Sequence, residues 1–261
     1  REALNDAAVA ILCLPDDAAR EAVALIGNDR TRVIDASSAH RVAPGWTYGF
    51  PELGFDVAGA GRVSNPGCYP TGFLALVAPL VRAGLVPPDW PLSVHAVSGY
   101  SGGGKALIAR VEGDATLAWR GYGHDLAHKH VPEMRLHAGL IHAPVFAPSV
   151  ARAYRGMIVE VPLPLAALPA RPSRAALIDA WSGAFDGQAL VRVHHDLPDE
   201  LLLARAAPPS DRLDLYLATD AAQTQARLIA VLDNLGKGAA GAAVQNLNLM
   251  AGVDSLAGLV L

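Results

Sequence analysis

Lysine is nearly absent from this chain. Only three of its 21 basic residues are Lys, and they face 25 Asp plus Glu, for a formal charge of -4 over 261 residues. No basic excess provides the electrostatic footprint of a nucleic-acid binder. Cysteine is just as scarce: Cys13 and Cys68 can form neither a multi-bridge secreted scaffold nor a four-cysteine zinc site, so two free thiols are expected. No apolar run reaches the ~18 uncharged residues a membrane helix needs, and the longest, such as Phe73–Val81, are core-sized. No secretory leader is legible. What is present is 52% hydrophobic and 18% charged, enough for a large buried core and far from the composition of disorder. The length fits one or two domains, and a globular, cytoplasmic protein is expected.

The first third reads as a parallel α/β unit. Ala7–Leu14 is an apolar run that suits a buried strand, followed by a turn at Leu14-Pro15-Asp16-Asp17 and a helix from about Asp17 to Ile26. Arg32–Asp35 is a second short strand. Strand, helix, strand is the βαβ pattern, whose ligands sit beyond the carboxyl ends of the strands. A G-x-G-x-x-G loop would normally open such a domain, and none lies upstream. We therefore expect the first βα units of the domain to precede Arg1.

From Thr71 the pattern changes. Phe73, Leu76, Val77, Leu80 and Val81 lie on one helical face, and Gly84 with Pro87-Pro88 ends that helix. Leu92–Val97 reads as a strand running into a loop from Ser98 to Gly104. The runs Met157–Val161, Leu190–Val193, Leu213–Leu217 and Arg227–Leu232 suggest a mixed or antiparallel sheet, covered by a helix over Ser173–Phe185 with Ser173 as N-cap. An Ala/Gly-rich helix from about Gly238 to Met250 closes the chain. The best domain boundary is near Asn65.

The sharpest local feature is Ser64-Asn65-Pro66-Gly67-Cys68-Tyr69-Pro70-Thr71-Gly72, directly before the Phe73 helix. A cysteine at a helix N-terminus meets unpaired N–H groups and the positive dipole end, which favour a thiolate and can hold an oxyanion. The bland alternative is a small buried Cys in a turn. On the active reading, Cys68 reacts with alkylating agents before Cys13, which is placed inside the first strand. In His128-Lys129-His130-Val131-Pro132-Glu133, an extended backbone would point both histidines the same way, and Pro132 fits the first turn of a helix. One histidine would be the acid–base partner that a cysteine nucleophile needs. His130 is favoured slightly, since a helix start lowers imidazole pKa. Glu133 would orient a histidine or charge the helix start. H-x-H also ligates metals, but further ligands are not evident and no metal is expected.

Three other stretches are weaker. Ser98–Lys105 is a glycine loop after a strand whose bare backbone suits a phosphate or a flat ring, yet it lacks the Walker pattern. Asn246, in Gln245-Asn246-Leu247-Asn248, offers an amide that would pair with a nicotinamide carboxamide or cap the helix. Arg41 follows the second strand and suits a phosphate, a carboxylate or a surface ion pair.

Together these stretches resemble the N-acetyl-gamma-glutamyl-phosphate reductase family, in its shorter class. The matching segments are AILCLPDDAA, DASSAHR, YGFPEL, SNPGCYPTGF, VSGYSGGGKALI, HKHVPEM and QNLNLMAG, in the family's order from Ala10 to Gly252; SNPGCYPTG and HKHVPE are the specific ones. The family's opening strand, G-x-x-G-x-x-G loop and helix are not among these residues, and the stretch between Leu53 and Ser64 is shorter than the family's. The resemblance implies a Rossmann-type NADP domain (1–65 and 238–261) and an α+β catalytic and dimerisation domain (66–237). This is the architecture of aspartate-semialdehyde and glyceraldehyde-phosphate dehydrogenases. It implies NADPH-dependent reduction of an acyl phosphate through a thioester on Cys68, with His130 or His128 handling the proton, and a homo-oligomer, dimer or tetramer. Joined to the residue readings, it suggests Arg41 and Lys105 as substrate contacts. Leu14, Pro15, Ser37, Gly102, Gly103, Gly104 and Asn246 would line the cofactor cleft. Three rivals remain: an aspartate-semialdehyde dehydrogenase-type reductase, a cofactor-independent cysteine hydrolase or acyltransferase, and a catalytically dead binding or assembly protein.

Overall fold

The computed structural model describes all 261 residues, Arg1–Leu261. After a one-turn helix α1 (Glu2–Asp6), β1 (Val9–Leu12), β2 (Arg32–Asp35), β3 (Thr47–Tyr48) and β4 (Arg62–Ser64) form a four-stranded parallel sheet in the order β1-β2-β4-β3. The crossover helix α2 (Asp16–Ala24) buries Ala19 and Val23, and Val23 joins Ala10, Leu12 and Val33 in a small cluster on one side of the sheet. The apolar run therefore does form a parallel strand, as its composition demands.

Helix α3 (Cys68–Arg82) is the axis of the remainder. Tyr69 to Leu80 are buried without a break, so this helix is apolar all round and lies inside the protein. It begins at Cys68 itself, ahead of the periodic apolar face that starts at Phe73. Pro70 fits there because a first-turn N–H has no helical partner in any case.

Seven strands form the second sheet: β5 (Ser93–Gly99), β6 (Trp119–Gly121), β7 (Val145–Ala151), β8 (Met157–Leu163), β9 (Val191–Val193), β10 (Leu213–Thr219) and β11 (Ala226–Leu232), in the order β6-β7-β5-β8-β11-β10-β9. It is mixed, with β5–β7 and β9–β10 parallel and the other pairs antiparallel. α3 covers one face together with α6 (Arg174–Ala184), whose Trp181 indole donates to the Leu76 carbonyl at 2.9 Å. Ser173 caps α6 as expected, its Oγ accepting from Ala176 N at 3.2 Å. On the other face, half-buried Ile158, Glu160, Val231 and Tyr216 have no helix above them.

The glycine stretch differs from its expected loop. β5 runs on to Gly99, one tight turn spans Tyr100–Gly103, and α4 (Gly104–Gly113) starts at once. α5 (Val131–His137) follows the histidine motif with Pro132 in its first turn. The last helix is preceded by a wide turn over Gly236–Ala240 and then runs as α7 (Gly241–Ala251). α7 returns to the first sheet, where Met250 packs with Ile34, Val57 and Val63. The Arg32 guanidinium caps its end by donating to the Met250 carbonyl.

Buried polar groups brace the turn before α7. Lys237 Nζ donates to Glu52 Oε1 at 2.5 Å and to Gln245 Oε1 at 2.7 Å, all three side chains being buried. No helix of the structure is long and apolar enough to cross a membrane.

Candidate active site

A cleft of about 770 Å³ opens between the carboxyl ends of β1 and β2 and the second sheet, and Cys68, His128 and His130 all line it. Cys68 is the first residue of α3. The N–H groups of Tyr69 and of Cys68 itself are directed at the sulfur and lower its pKa. Burial is the stronger influence. It pushes the Cys68 thiol up to about 11, against the pull of Arg41. The resting sulfur is thus a thiol, which corrects the expectation that the helix start alone holds a thiolate. A base must take its proton.

Glu133 is the hub behind the sulfur. Its buried carboxylate accepts from Arg41 Nη1 at 2.8 Å, Tyr48 OH at 2.7 Å and the Gly67 N–H at 3.1 Å. Burial raises its pKa above the usual carboxylate value, while Arg41 and the other two donors favour the charged form. Gly67 has to be glycine: a Cβ there would lie 2.6 Å from Arg41 Nη1, 2.6 Å from His130 Nε2 and 2.7 Å from Glu133 Oε1. Close approach of three functional side chains to one backbone atom is what the residue permits.

The two histidines come together, but through a turn and not an extended segment. His130 N–H donates to His128 Nδ1 at 3.2 Å, and the rings sit 4.7 Å apart at 68°. His130 is buried, with Nδ1 lacking any partner and Nε2 4.0 Å from Glu133 Oε1. Its pKa lies well below the ordinary imidazole value, through burial first and then the charges of Arg41, His128 and Lys129. His128 is lowered to about 4, again mainly by burial. Both rings are neutral at pH 7. Burial, not the helix start, sets this.

Residues 68–234 match the family described as "Semialdehyde dehydrogenase, dimerisation domain", and residues 1–59 match "Semialdehyde dehydrogenase, NAD binding domain". The chain is 51% identical to N-acetyl-gamma-glutamyl-phosphate reductase 2 of Pseudomonas putida, over 96% of this chain and 83% of that protein. It is 49% identical to the N-acetyl-gamma-glutamyl-phosphate reductase of Burkholderia ambifaria, over 97% and 84%. The chain belongs to the N-acetyl-gamma-glutamyl-phosphate reductase family. Its fold is also that of aspartate semialdehyde dehydrogenase II from Vibrio cholerae, at TM-score 0.72 and 19% identity over 95% of this chain and 81% of that one. A probable aspartate-semialdehyde dehydrogenase from Pseudomonas aeruginosa gives 0.71 and 16%, over 95% and 80%.

In this reductase-family chain the other expected site residues divide. Gly102, Gly103 and Gly104 line the cleft. Lys105 does not: it is exposed in the first turn of α4, outside the wall. Leu14 and Pro15 stand just past Cys13, with Leu14 exposed, and the wall beside them is Ile11, Cys13 and Ala36. Ser37 turns inward, its Oγ donating to Asp35 Oδ2 at 2.7 Å. Asn246 is a buried strut, donating from Nδ2 to Gly49 O and Asn65 Oδ1, both at 3.1 Å. The amides on the cleft wall are Asn65 and Asn234. Arg41 reaches the wall, but its donors are engaged by Glu133, by Asn65 O at 2.9 Å and by Ala36 O at 3.1 Å.

Three wall residues that sequence reasoning missed are Arg120, Tyr122 and Lys129. Lys129 sits inside the histidine motif and was legible there; Arg120 and Tyr122 belong to a three-residue strand and its exit, too short for any periodicity to show.

Cys13 also requires correction: it lies beyond the end of β1, exposed and on the cleft wall. At neutral pH iodoacetamide is expected to modify Cys13 before Cys68, and the Cys68 rate should climb about tenfold per pH unit towards its pKa of about 11. Peptide mass spectrometry over a pH series reads both sites. Faster modification of Cys68 at pH 7 would mean that its thiolate is stabilised after all.

Proposed function

We propose that this chain is an N-acetyl-gamma-glutamyl-phosphate reductase. It converts N-acetyl-glutamyl 5-phosphate to N-acetyl-glutamate 5-semialdehyde and phosphate with NADPH, in arginine biosynthesis. The observation that carries this reading is Cys68 at the start of α3, sharing one cleft with a buried neutral His130 whose Nδ1 is unpartnered.

The Cys68 sulfur attacks the acyl carbon, its proton passing to His130, and phosphate leaves with the C–O electron pair. The product is a thioester on Cys68, with the N–H groups at the start of α3 beside the substrate oxygen. NADPH, when bound, supplies the hydride for the reduction. His130 then holds and returns the proton at the substrate oxygen while the aldehyde forms and the sulfur is released. Glu133 and Arg41 position this apparatus: Glu133 anchors the Gly67 N–H, and Arg41 ties it to the ends of β2 and β4.

The residues present fit the cofactor. Gly238 presses on Cys68, where a Cβ would come within 2.9 Å of the Cys68 Cβ, so the wide turn supplies a wall of small residues (Gly238, Ala239, Ala240) beside the sulfur. With the bare backbone of Gly102–Gly104 and with Ala36 beyond β2, they would hold a flat ring against the reacting centre. On this reading the chain divides into a nucleotide unit, 1–65 with 238–261, and a catalytic unit, 66–237. The homo-oligomer, a dimer or tetramer, would form through the helix-free face of the seven-stranded sheet, in keeping with the dimerisation-domain match. A cytoplasmic location is included, since substrate and NADPH are small charged metabolites.

The test is phosphate-dependent NADP+ reduction with N-acetyl-glutamate 5-semialdehyde. Turnover of aspartate semialdehyde instead would favour the aspartate-type rival, and thioester hydrolysis without nucleotide would favour the hydrolase. Within the same assay, His130→Asn is expected to lose roughly 10²–10⁴-fold in kcat. His128→Asn should raise KM more than it lowers kcat, since His128 Nδ1 is already committed to the His130 N–H. Loss of the acidic limb in His128→Asn, with a wild-type pH profile in His130→Asn, would reverse the two roles.

A further inference from the structure

The cleft wall carries three cationic side chains, Arg41, Arg120 and Lys129, and no carboxylate, in a chain of formal charge -4. Only Arg41 has an evident occupation. Arg41 is tied to Glu133 and to two backbone carbonyls. Lys129 forms no ion pair, but its charge, with Ser38 and Arg20, helps hold the Asp16 carboxyl below its usual value against the effect of burial. Arg120 has no carboxylate within ion-pair distance.

Its placement is nonetheless fixed. β6 is an edge strand, and its antiparallel register sets Arg120 opposite Val150, another wall residue, while the neighbouring Trp119 is 62% exposed. The guanidinium carbon lies 4.5 Å from the centroid of the Tyr122 ring. Tyr122 OH donates to Tyr69 OH at 3.2 Å, and Tyr69 directly follows Cys68. An arginine stacked on an aromatic face keeps its donor fork aligned, and that planar fork matches a carboxylate in two parallel hydrogen bonds. Arg120 is therefore held two aromatic rings away from the sulfur, with its fork uncommitted.

We infer that Arg120 binds the α-carboxylate of the substrate and so selects an amino-acid acyl phosphate over a simple acyl phosphate. This rests on the reductase reading above. The substrate has two anionic ends. Its phosphate is attached to the carbon that Cys68 attacks, whereas the α-carboxylate lies at the far end of the carbon chain. The stacked tyrosines separate Arg120 from the sulfur, which suits the distant end.

The experiment uses the full-length protein in the semialdehyde-oxidising direction, with NADP+ and phosphate. Two aldehydes are compared: N-acetyl-glutamate 5-semialdehyde and 4-acetamidobutanal, which is the same molecule without its carboxylate. Wild type should prefer the first by roughly a hundred- to thousand-fold in kcat/KM, as expected of a site built around a charged partner. Arg120→Met should reduce that preference to below about tenfold through loss with the carboxylated aldehyde alone. Its rate with 4-acetamidobutanal and its KM for phosphate should stay at wild-type values. Arg120→Lys, which keeps the charge without the fork, should recover part of the preference. An equal loss on both aldehydes, or a raised phosphate KM with the preference intact, would overturn the assignment. A wild-type protein inert towards both aldehydes would remove the reductase reading, and this inference with it.

Discussion

Replacing Cys68 with serine is expected to lower turnover by about ten-thousand-fold or more while leaving nucleotide affinity and melting temperature nearly unchanged. The reason lies in the surroundings of the sulfur. On the proposed route the thiol, at about 11, gives up its proton on attack to His130, a neutral ring in the same cleft. A hydroxyl is a far weaker acid and needs a base strengthened by a carboxylate. His130 Nε2 is 4.0 Å from Glu133 Oε1, beyond hydrogen-bond reach, and Glu133 is already occupied by three donors. The fold should tolerate the change, since serine is nearly isosteric and can keep the Tyr69 N–H contact. Phosphate-dependent NADP+ reduction and a thermal melt measure the two halves. Retention of more than a few per cent of activity would take Cys68 out of the mechanism.

Glu133→Ala should cause the largest loss of stability, about 3–5 kcal/mol, because it leaves the buried Arg41 guanidinium without its counter-charge. Tyr48 OH and the Gly67 N–H lose their acceptor as well. Urea unfolding near pH 7 gives the number. The double variant Arg41→Met with Glu133→Leu should be more stable than Glu133→Ala alone, since it removes the unpaired charge. A loss under about 1 kcal/mol in Glu133→Ala would show that Arg41 is held chiefly by the Asn65 and Ala36 carbonyls.

Much of the fold was legible because its elements follow local rules. β1 and β2 are apolar runs with a helix between them, α6 carries its own serine cap, and α3 shows its periodic apolar face. Helix α4 was hidden because its first residue is a glycine and Gly102–Gly103 before it look like a loop. The short strands β3, β4 and β6 have too few residues to carry a pattern; long-range pairing makes them. The site shows the same division. Cys68, His128 and His130 stood out because their neighbours fix an unusual backbone. The orientation of a side chain was not legible. Ser37 and Asn246 lie at the expected places along the chain, yet both turn away to satisfy buried partners. Arg41 was singled out as an anion contact, but a buried carboxylate 92 positions later in the chain engages it. Nor could sequence reveal that burial outweighs the helix start in setting the Cys68 pKa, since burial depends on what the second sheet brings against it.

The covalent role of Cys68 is tested most directly by trapping the acyl-enzyme. The protein is mixed with NADP+ and N-acetyl-glutamate 5-semialdehyde without phosphate, quenched in acid, digested and analysed by mass spectrometry. The expected result is a rapid burst of about one NADPH per chain, together with a hydroxylamine-sensitive N-acetyl-glutamyl adduct on the peptide containing Cys68 and none on the peptide containing Cys13. A burst accompanied by unmodified Cys68, or by an adduct at another residue, would contradict it.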